Sequence, residues 1–249
     1  MRTILIIPTM NEERTIINVI KEARKYVDKI ILVDSSTDNT RILVRKHFPD
    51  VRILHESKTG KGRAIKKGIH EAGKFKPEFI VFMDGDGERD PREIKNLIST
   101  LERHNADIVI GCRKKMRSLL RRFLNKFTIF WVNLALGCHF SDISSGFMAM
   151  RFERLLMLDL KAKNFDIELN IFLEAWSKGF KMVSIPVSVP TFAESKCKII
   201  HMLEINDFFD RWVLNFDRKP WRMKIAVPFC LLGLLISSLV RIIYLKFFS

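Results

Sequence analysis

Short continuous apolar runs at Thr3 to Pro8, Ile30 to Val33, Val51 to His55, Phe79 to Met83 and Asp107 to Gly111 punctuate the first half of the chain, with helical patterns between most of them. A strand that shows no polar alternation is buried on both faces, so these runs predict a mainly parallel sheet covered by helices on either side. Between the first two runs, Ile16, Val19, Ile20, Ala23 and Val27 recur at helical spacing, while Glu12, Glu13, Lys21 and Lys25 fall on other faces. The expected class is α/β and Rossmann-like. At 249 residues the chain has room for one such domain and an appendage, not for two large domains. It shows neither an internal repeat nor a low-complexity segment.

In sheets of this kind ligands bind beyond the carboxyl ends of the strands. The fourth run ends in "FMDGDGERDP", Phe82 to Pro91, and Pro91 opens the helical stretch "PREIKNLISTLERH". Asp84, Asp86 and Glu88 therefore stand at a strand end. Carboxylates at alternate positions of a Gly-rich turn can face one hard cation, and Mg2+ or Mn2+ bound to a diphosphate needs only one or two of them. The other reading is a solvated acidic turn, with Asp90 favourable at the helix start. The first three runs end in "PTMNEERTI", "VDSSTDNT" and "ESKTGKGRAIKKGI". Asn11, Glu12, Asp34 and Asp38 could hydrogen-bond a sugar or base there, or serve as loop and helix caps. The Gly60, Lys61, Gly62, Arg63 turn combines close backbone approach with cations and suits phosphate. It lacks the G-x-x-x-x-G-K-[ST] order of a P-loop, which disfavours a nucleotide triphosphatase. Together these loops describe a site for a nucleoside diphosphate with metal.

A net charge of +15 implies an anionic partner: nucleic acid, phospholipid or a phosphorylated substrate. Position decides among them. In "RKKMRSLLRRFLNKFTIFWVNLAL", Arg113, Lys114, Lys115, Arg117, Arg121, Arg122 and Lys126 fall together without an acid, and an apolar aromatic segment follows. That is the composition of a helix lying on an anionic membrane. A basic helix packed on the core by Phe127, Phe130 and Trp131 is the alternative. Adjoining membrane-compatible sequence and the lack of a recognisable module argue against nucleic acid. Cys112, Cys138, Cys197 and Cys230 form no C-x-x-C pair and read as reduced cytosolic thiols. His139 reads as an incidental loop residue.

Ile4 to Ile7 is too short an apolar run for a signal peptide, so the catalytic part is expected in the cytoplasm. From Ile225 to Val240 no residue is charged, and Ile242 to Leu245 extend the run past Arg241. A membrane-spanning helix needs roughly 20 such residues. Arg218, Lys219, Arg222 and Lys224 precede the run, as on the cytoplasmic side of a span. A buried core helix is the competing reading. The expected organisation is a catalytic domain at 1–210 that includes a basic membrane-surface segment at 113–137. A juxtamembrane linker at 211–224 and a single-pass C-terminal anchor at 225–248 complete it.

The ordered series "PTMNEE", "VDSSTDNT", "GKGRAIKKGI", "MDGDGERDP", "SDISSGFMAMR", "FDIELN" and "ESK", from about residue 3 to residue 197, resembles glycosyltransferase family 2. The likeness is to the branch of dolichol-phosphate mannose synthases and polyprenyl-phosphate glycosyltransferases. Each motif alone is weak, and seven in order are strong. The resemblance implies a GT-A fold, a nucleotide-sugar donor, Mg2+ or Mn2+, and inversion at the anomeric carbon. It makes Asp84, Asp86 and Glu88 the metal and diphosphate cluster, and it places Pro8, Asn11, Glu12 and Asp34 around the nucleotide with Lys61 nearby. Arg113, Arg117 and Arg122 are the nearest matches to arginines that bind the lipid phosphate.

Asp166 and Glu168 face the sugar or acceptor in this reading, or else cap a helix. Ser144 to Phe147 is either an acceptor-side loop or a simple turn, and Asp142 before it is a candidate acceptor-side group. Two departures stand out: "VDSSTDNT" is one residue shorter than the usual motif, and Pro190 and Ala193 replace an arginine and a glycine before "ESK". Lys196 is a candidate substitute for the lost phosphate contact. The implied reaction is metal-dependent transfer of a hexose to dolichyl or polyprenyl phosphate at the cytoplasmic membrane face. Mannose from GDP-mannose is favoured over glucose from UDP-glucose, and a membrane subunit is a conceivable partner. A different membrane acceptor and an inactive scaffold are the alternatives, the latter disfavoured by the intact acids.

Overall fold

The computed structural model of the protein describes residues 2–57, 60–113, 119–142, 145–188, 199–216 and 221–248. Its sheet contains β1 (Thr3–Thr9), β2 (Lys29–Asp34), β3 (Arg52–His55), β4 (Phe79–Phe82), β5 (Ile108–Arg113), β6 (Met148–Arg151) and β7 (Met182–Val187), in the order β3-β2-β1-β4-β6-β5-β7. All five runs read from the sequence are strands. β1 pairs in parallel with β2 and β4, β2 with β3, and β5 with β7. β6 alone runs the other way, antiparallel to both β4 and β5. The mainly parallel α/β expectation holds. β6 and β7 lay beyond the sequence reading: β6 is four residues inside a loop motif, and β7 is a half-exposed edge strand that tolerates Pro186.

The chain divides into two compact units, one of residues 1–115 and 142–195, the other of 116–141 and 196–249. In the first, α1 (Ile16–Ala23), α2 (Thr40–His47), α3 (Lys61–Gly73), α4 (Ile94–Arg103), α6 (Phe152–Leu155) and α7 (Ile167–Ser177) accompany the sheet. Leu5, Ile7, Leu32, Phe79 and Val81 meet Ile16, Val19, Ile20, Leu97 and Leu101 in one buried cluster. The apolar stripe predicted for the first helix supplies three of these side chains. Asp90 accepts from the Arg92 amide (3.0 Å) and starts a 3-10 turn at Pro91–Glu93 that leads into α4.

In the second unit α5 (Leu119–Leu136), α8 (Ile199–Asn215) and α9 (Trp221–Phe248) pack on one another. Thr128 Oγ1 donates to Asn206 Oδ1 (2.7 Å), and the Trp131 and Phe229 rings lie 4.8 Å apart. Phe130, Leu134, Trp221, Ile225, Phe229, Leu232 and Leu235 remain exposed. The boundaries expected at 210 and 224 fall inside α8 and α9. Among the described residues no helix is long and apolar enough to cross a membrane. α9 takes in the whole of the expected span at 225–248, although no side chain beyond Ser238 is described. Cys112, Cys138 and Cys230 are free thiols, and Cys197 is outside the described residues.

Candidate active site

β1 and β2 deliver their loops side by side, because Thr9 is in register with Asp34. Asp34 is wholly buried. Its Oδ1 accepts from Ser36 Oγ (2.5 Å) and Thr9 Oγ1 (3.0 Å), while its buried Oδ2 has no hydrogen-bond partner. A buried carboxylate oxygen without a donor is unfavourable, so this atom suits an N–H or O–H brought by a ligand. Pro8, one residue earlier on β1, sits opposite Val33. Asn11 works as a loop stitch: in a left-handed conformation (φ 59°), its Oδ1 accepts from the Thr37 and Asp38 amides at 2.9 and 3.3 Å. The buried Glu12 donates its amide to Thr40 Oγ1 (2.9 Å), and its carbonyl accepts from Thr15 and Ile16. Asp38 accepts from the Thr40 amide (2.9 Å) and hydroxyl (2.6 Å), so the cap reading holds for it at the start of α2.

The second cluster joins three elements. Asp84 follows β4, Lys61 opens α3 and Glu168 lies in the first turn of α7. Lys61 Nζ reaches Asp84 Oδ1 (2.6 Å) and Oδ2 (2.8 Å), and it also pairs with Glu168 Oε1. Burial by itself would lower the Lys61 pKa, but the two carboxylates outweigh it and hold the amine above its ordinary value. Burial raises Glu168, with the Lys61 charge opposing. Asp86 is pushed up to about 7, first by burial and then by the charge of Asp84. Its Oδ1 accepts from the Glu88 amide (2.9 Å) across Gly87, whose φ of 76° only glycine adopts readily. Gly146 closes the cluster: a β-carbon there would fall on Asp84 Oδ2 and stand 2.8 Å from Lys61 Nζ.

The phosphate reading of the Gly60–Arg63 turn is corrected by its partners. The Gly62 and Arg63 amides donate to the carbonyls of Asn164 (3.1 Å) and Lys163 (3.2 Å). A β-carbon on Gly62 would lie 2.8 Å from Ala162 O. The glycine admits the chain's own strap at 159–164, and two of the amides that would cradle a phosphate, those of Gly62 and Arg63, are taken. Lys61, expected beside the nucleotide, points to Asp84 and Glu168. Neither acid of "FDIELN" caps α7: Asp166 accepts from the Asn164 amide (3.0 Å), and Glu168 pairs with Lys61.

The sequence pattern of glycosyl transferase family 2 matches residues 4–155, more than half of the chain and the whole stretch that builds β1 to β6. The chain belongs to glycosyltransferase family 2. This glycosyltransferase is 34% identical over 201 residues to an uncharacterised protein of Methanocaldococcus jannaschii, covering 75% of this chain and 87% of that one. It is 29% identical over 218 residues to the polyprenol monophosphomannose synthase of Mycolicibacterium smegmatis, covering 81% of each. A Mycobacterium tuberculosis glucosyl-3-phosphoglycerate synthase, solved with Mg2+ and uridine diphosphate, superposes with a TM-score of 0.71. At 19% identity over 84% of this chain and 78% of that one, it supports the GT-A fold alone.

The acid cluster of this glycosyltransferase differs from the expected three-carboxylate set. Among the described residues, no three His, Cys, Asp or Glu side chains gather as a ready metal site. Asp84 faces Lys61, and Asp86 Oδ1 faces the Glu88 amide. The donor chemistry nevertheless fits a divalent cation. Asp86 resists ionisation first because its half-buried carboxyl is largely withdrawn from water and then because Asp84 and Glu88 add negative charge, and a hard cation would relieve that repulsion. Asp84 and Asp86 suffice for Mg2+ or Mn2+ that also carries diphosphate oxygens.

Two residues that hold the site, Arg89 and Asn170, were not anticipated, and Ser145 was singled out only as part of the Ser144 to Phe147 stretch. The buried Arg89 donates to Ser145 Oγ (3.0 Å) and to Gly111 O (3.5 Å), while Ser145 Oγ donates to Gly111 O (2.6 Å). This ties the acidic turn to the end of β5. Asn170 Oδ1 accepts from the Lys161 and Ala162 amides at 2.8 and 2.9 Å and fastens the strap. An arginine inside an acid-rich turn was the one available sequence signal. Asp142 is buried in the same unit. Arg113 ends β5 opposite Val187, but its side chain and that of Arg122 lie outside the description, as do Arg117 and Lys196 altogether.

Proposed function

We propose that this glycosyltransferase moves a hexose, mannose from GDP-mannose before other donors, onto a polyprenyl phosphate with inversion at a membrane face. The observation that carries the reading is the Asp84–Asp86 pair at the end of β4, a half-buried centre short of positive charge. Mg2+ or Mn2+ held there would neutralise the departing nucleoside diphosphate. Asp34 would take a donor group of the nucleotide on its free Oδ2. A lipid monophosphate is largely ionised at neutral pH, because its second pKa is about 6. Its oxygen needs orientation rather than a strong base, and Arg113, Arg117 and Arg122 are the residues proposed to supply it. Support for the polyprenyl acceptor comes from the synthase that shares 81% of its length with this chain.

The uncharged run from Ile225 to Val240 and the exposed apolar side chains of α9 support a C-terminal membrane anchor, and the basic Arg218, Lys219, Arg222 and Lys224 before it support a catalytic domain on the cytoplasmic side. A uridine nucleotide is the second reading, favoured by the ligand of the structural neighbour. Both are tested with detergent-solubilised enzyme, Mn2+ and polyprenyl phosphate, offering labelled GDP-mannose and UDP-glucose in parallel. Label should enter the lipid from one donor and fall about a hundredfold or more in Asp86→Ala. Lipid labelling that survives in Asp86→Ala rejects the metal assignment, and donor hydrolysis without a lipid product rejects the acceptor.

A further inference from the structure

Lys61 engages both oxygens of Asp84 and, through the same ammonium, Glu168. Its side chain is 12% exposed and that of Glu168 4%, so neither charge is met by bulk water. The Phe165 ring, 6.0 Å from Nζ, flanks the ammonium, and Gly146 contributes no side chain that could separate the pair. Asp84, Asp86, Glu88 and Glu168 set four carboxyl groups around one ammonium, so the centre is short of positive charge in a way that a divalent cation would relieve.

We infer that Lys61 is a built-in counter-cation of the carboxylate centre, one that a divalent metal displaces from Asp84 and that Glu168 retains afterwards. The inference rests on the reading of Asp84 and Asp86 as metal ligands. Lysine suits the role because its ammonium is a compact point charge on a flexible stem, able to trade one carboxylate for another without leaving its pocket. A cation that occupies Asp84 must lower its affinity for metal, and metal must in turn loosen the Lys61–Asp84 pair, because the coupling is reciprocal. Glu168 then acts as a positioning residue. By holding the ammonium it makes release of Asp84 less unfavourable.

The two substitutions should move metal affinity in opposite directions. Mn2+ binding is measured without nucleotide on the full chain in detergent, from the electron paramagnetic resonance signal of free Mn2+. Lys61→Met frees Asp84 and is expected to tighten binding about tenfold or more, as removal of a close positive charge requires. Glu168→Gln leaves the ammonium with Asp84 alone and should weaken it to a similar degree. A packing role would shift both variants the same way or neither. Should Lys61→Met not fold, Glu168→Gln decides alone: unchanged or tighter Mn2+ binding overturns the inference. Asp86→Asn separates the two levels. If wild type binds no Mn2+ that Asp86→Asn removes, the metal reading fails and takes this inference with it. If that binding is present and the opposed shifts are not, the counter-cation alone is rejected.

Discussion

Asp86 has a carboxyl lifted from an ordinary 3.8 to about 7 by burial and by Asp84, so the folded chain takes up a proton there that the unfolded chain has released. Between those two values the folded state binds more protons, and stability must fall as pH rises, then level off above about 7. The span corresponds to roughly 4 kcal/mol for an isolated group and less where the group interacts with Asp84. Urea denaturation without divalent cation should give a lower midpoint at pH 8 than at pH 5. Asp86→Asn should remove most of that slope and stabilise the protein at pH 8. An unchanged slope in the variant would place the titration elsewhere. Asp34, by contrast, was readable as a strand-end acid, but it could be told from a loop or helix cap only once Thr9 and Ser36 were seen to occupy one oxygen and leave the other bare.

At the scale of elements, the strap at 159–164 is what sets Lys61. Asn170 on α7 holds it with two acceptor bonds, and its Nδ2 donates to Asp159 O (3.3 Å). The strap's carbonyls then hold the first amides of α3. Asn170→Ala should destabilise the protein by about 2 kcal/mol, since it strands the buried Ala162 amide and the part-buried Lys161 amide. Asn170→Asp keeps the acceptor and should lose less, and urea midpoints of the two variants check the order. None of this was legible. Five strands announced themselves as apolar runs with no polar alternation, and the acids after β4 stood at a place where parallel sheets bind ligands. The Gly60–Arg63 turn misled because glycine signals close approach without naming what approaches. Here it is backbone 100 residues away in sequence, as with Gly62 and Ala162. β6 hid because four residues are too few to show a period, and β7 because Pro186 and partial exposure blur an edge strand.

For the whole molecule, the excess of 15 positive charges and the exposed apolar side chains of α5 and α9 point the same way. The chain should float with vesicles containing anionic phospholipid. Raising salt to about 0.5 M should remove the electrostatic share of the binding and leave an apolar remainder. Combining Phe229→Glu with Leu232→Glu should abolish that remainder. Flotation that is absent at low salt, or fully retained in the double variant, speaks against membrane docking through these faces. The sheet order carries a further consequence, for a chain still being made. A ribosome releases Lys61 and Asp84 early, yet β6, which lies between β4 and β5, is complete only at Arg151, Glu168 emerges later still, and β7 ends at Val187. Until Gly146 and Glu168 have emerged, the nascent chain carries Lys61 and its principal acids without either, so the centre is completed only once the segment that follows β6 has been made.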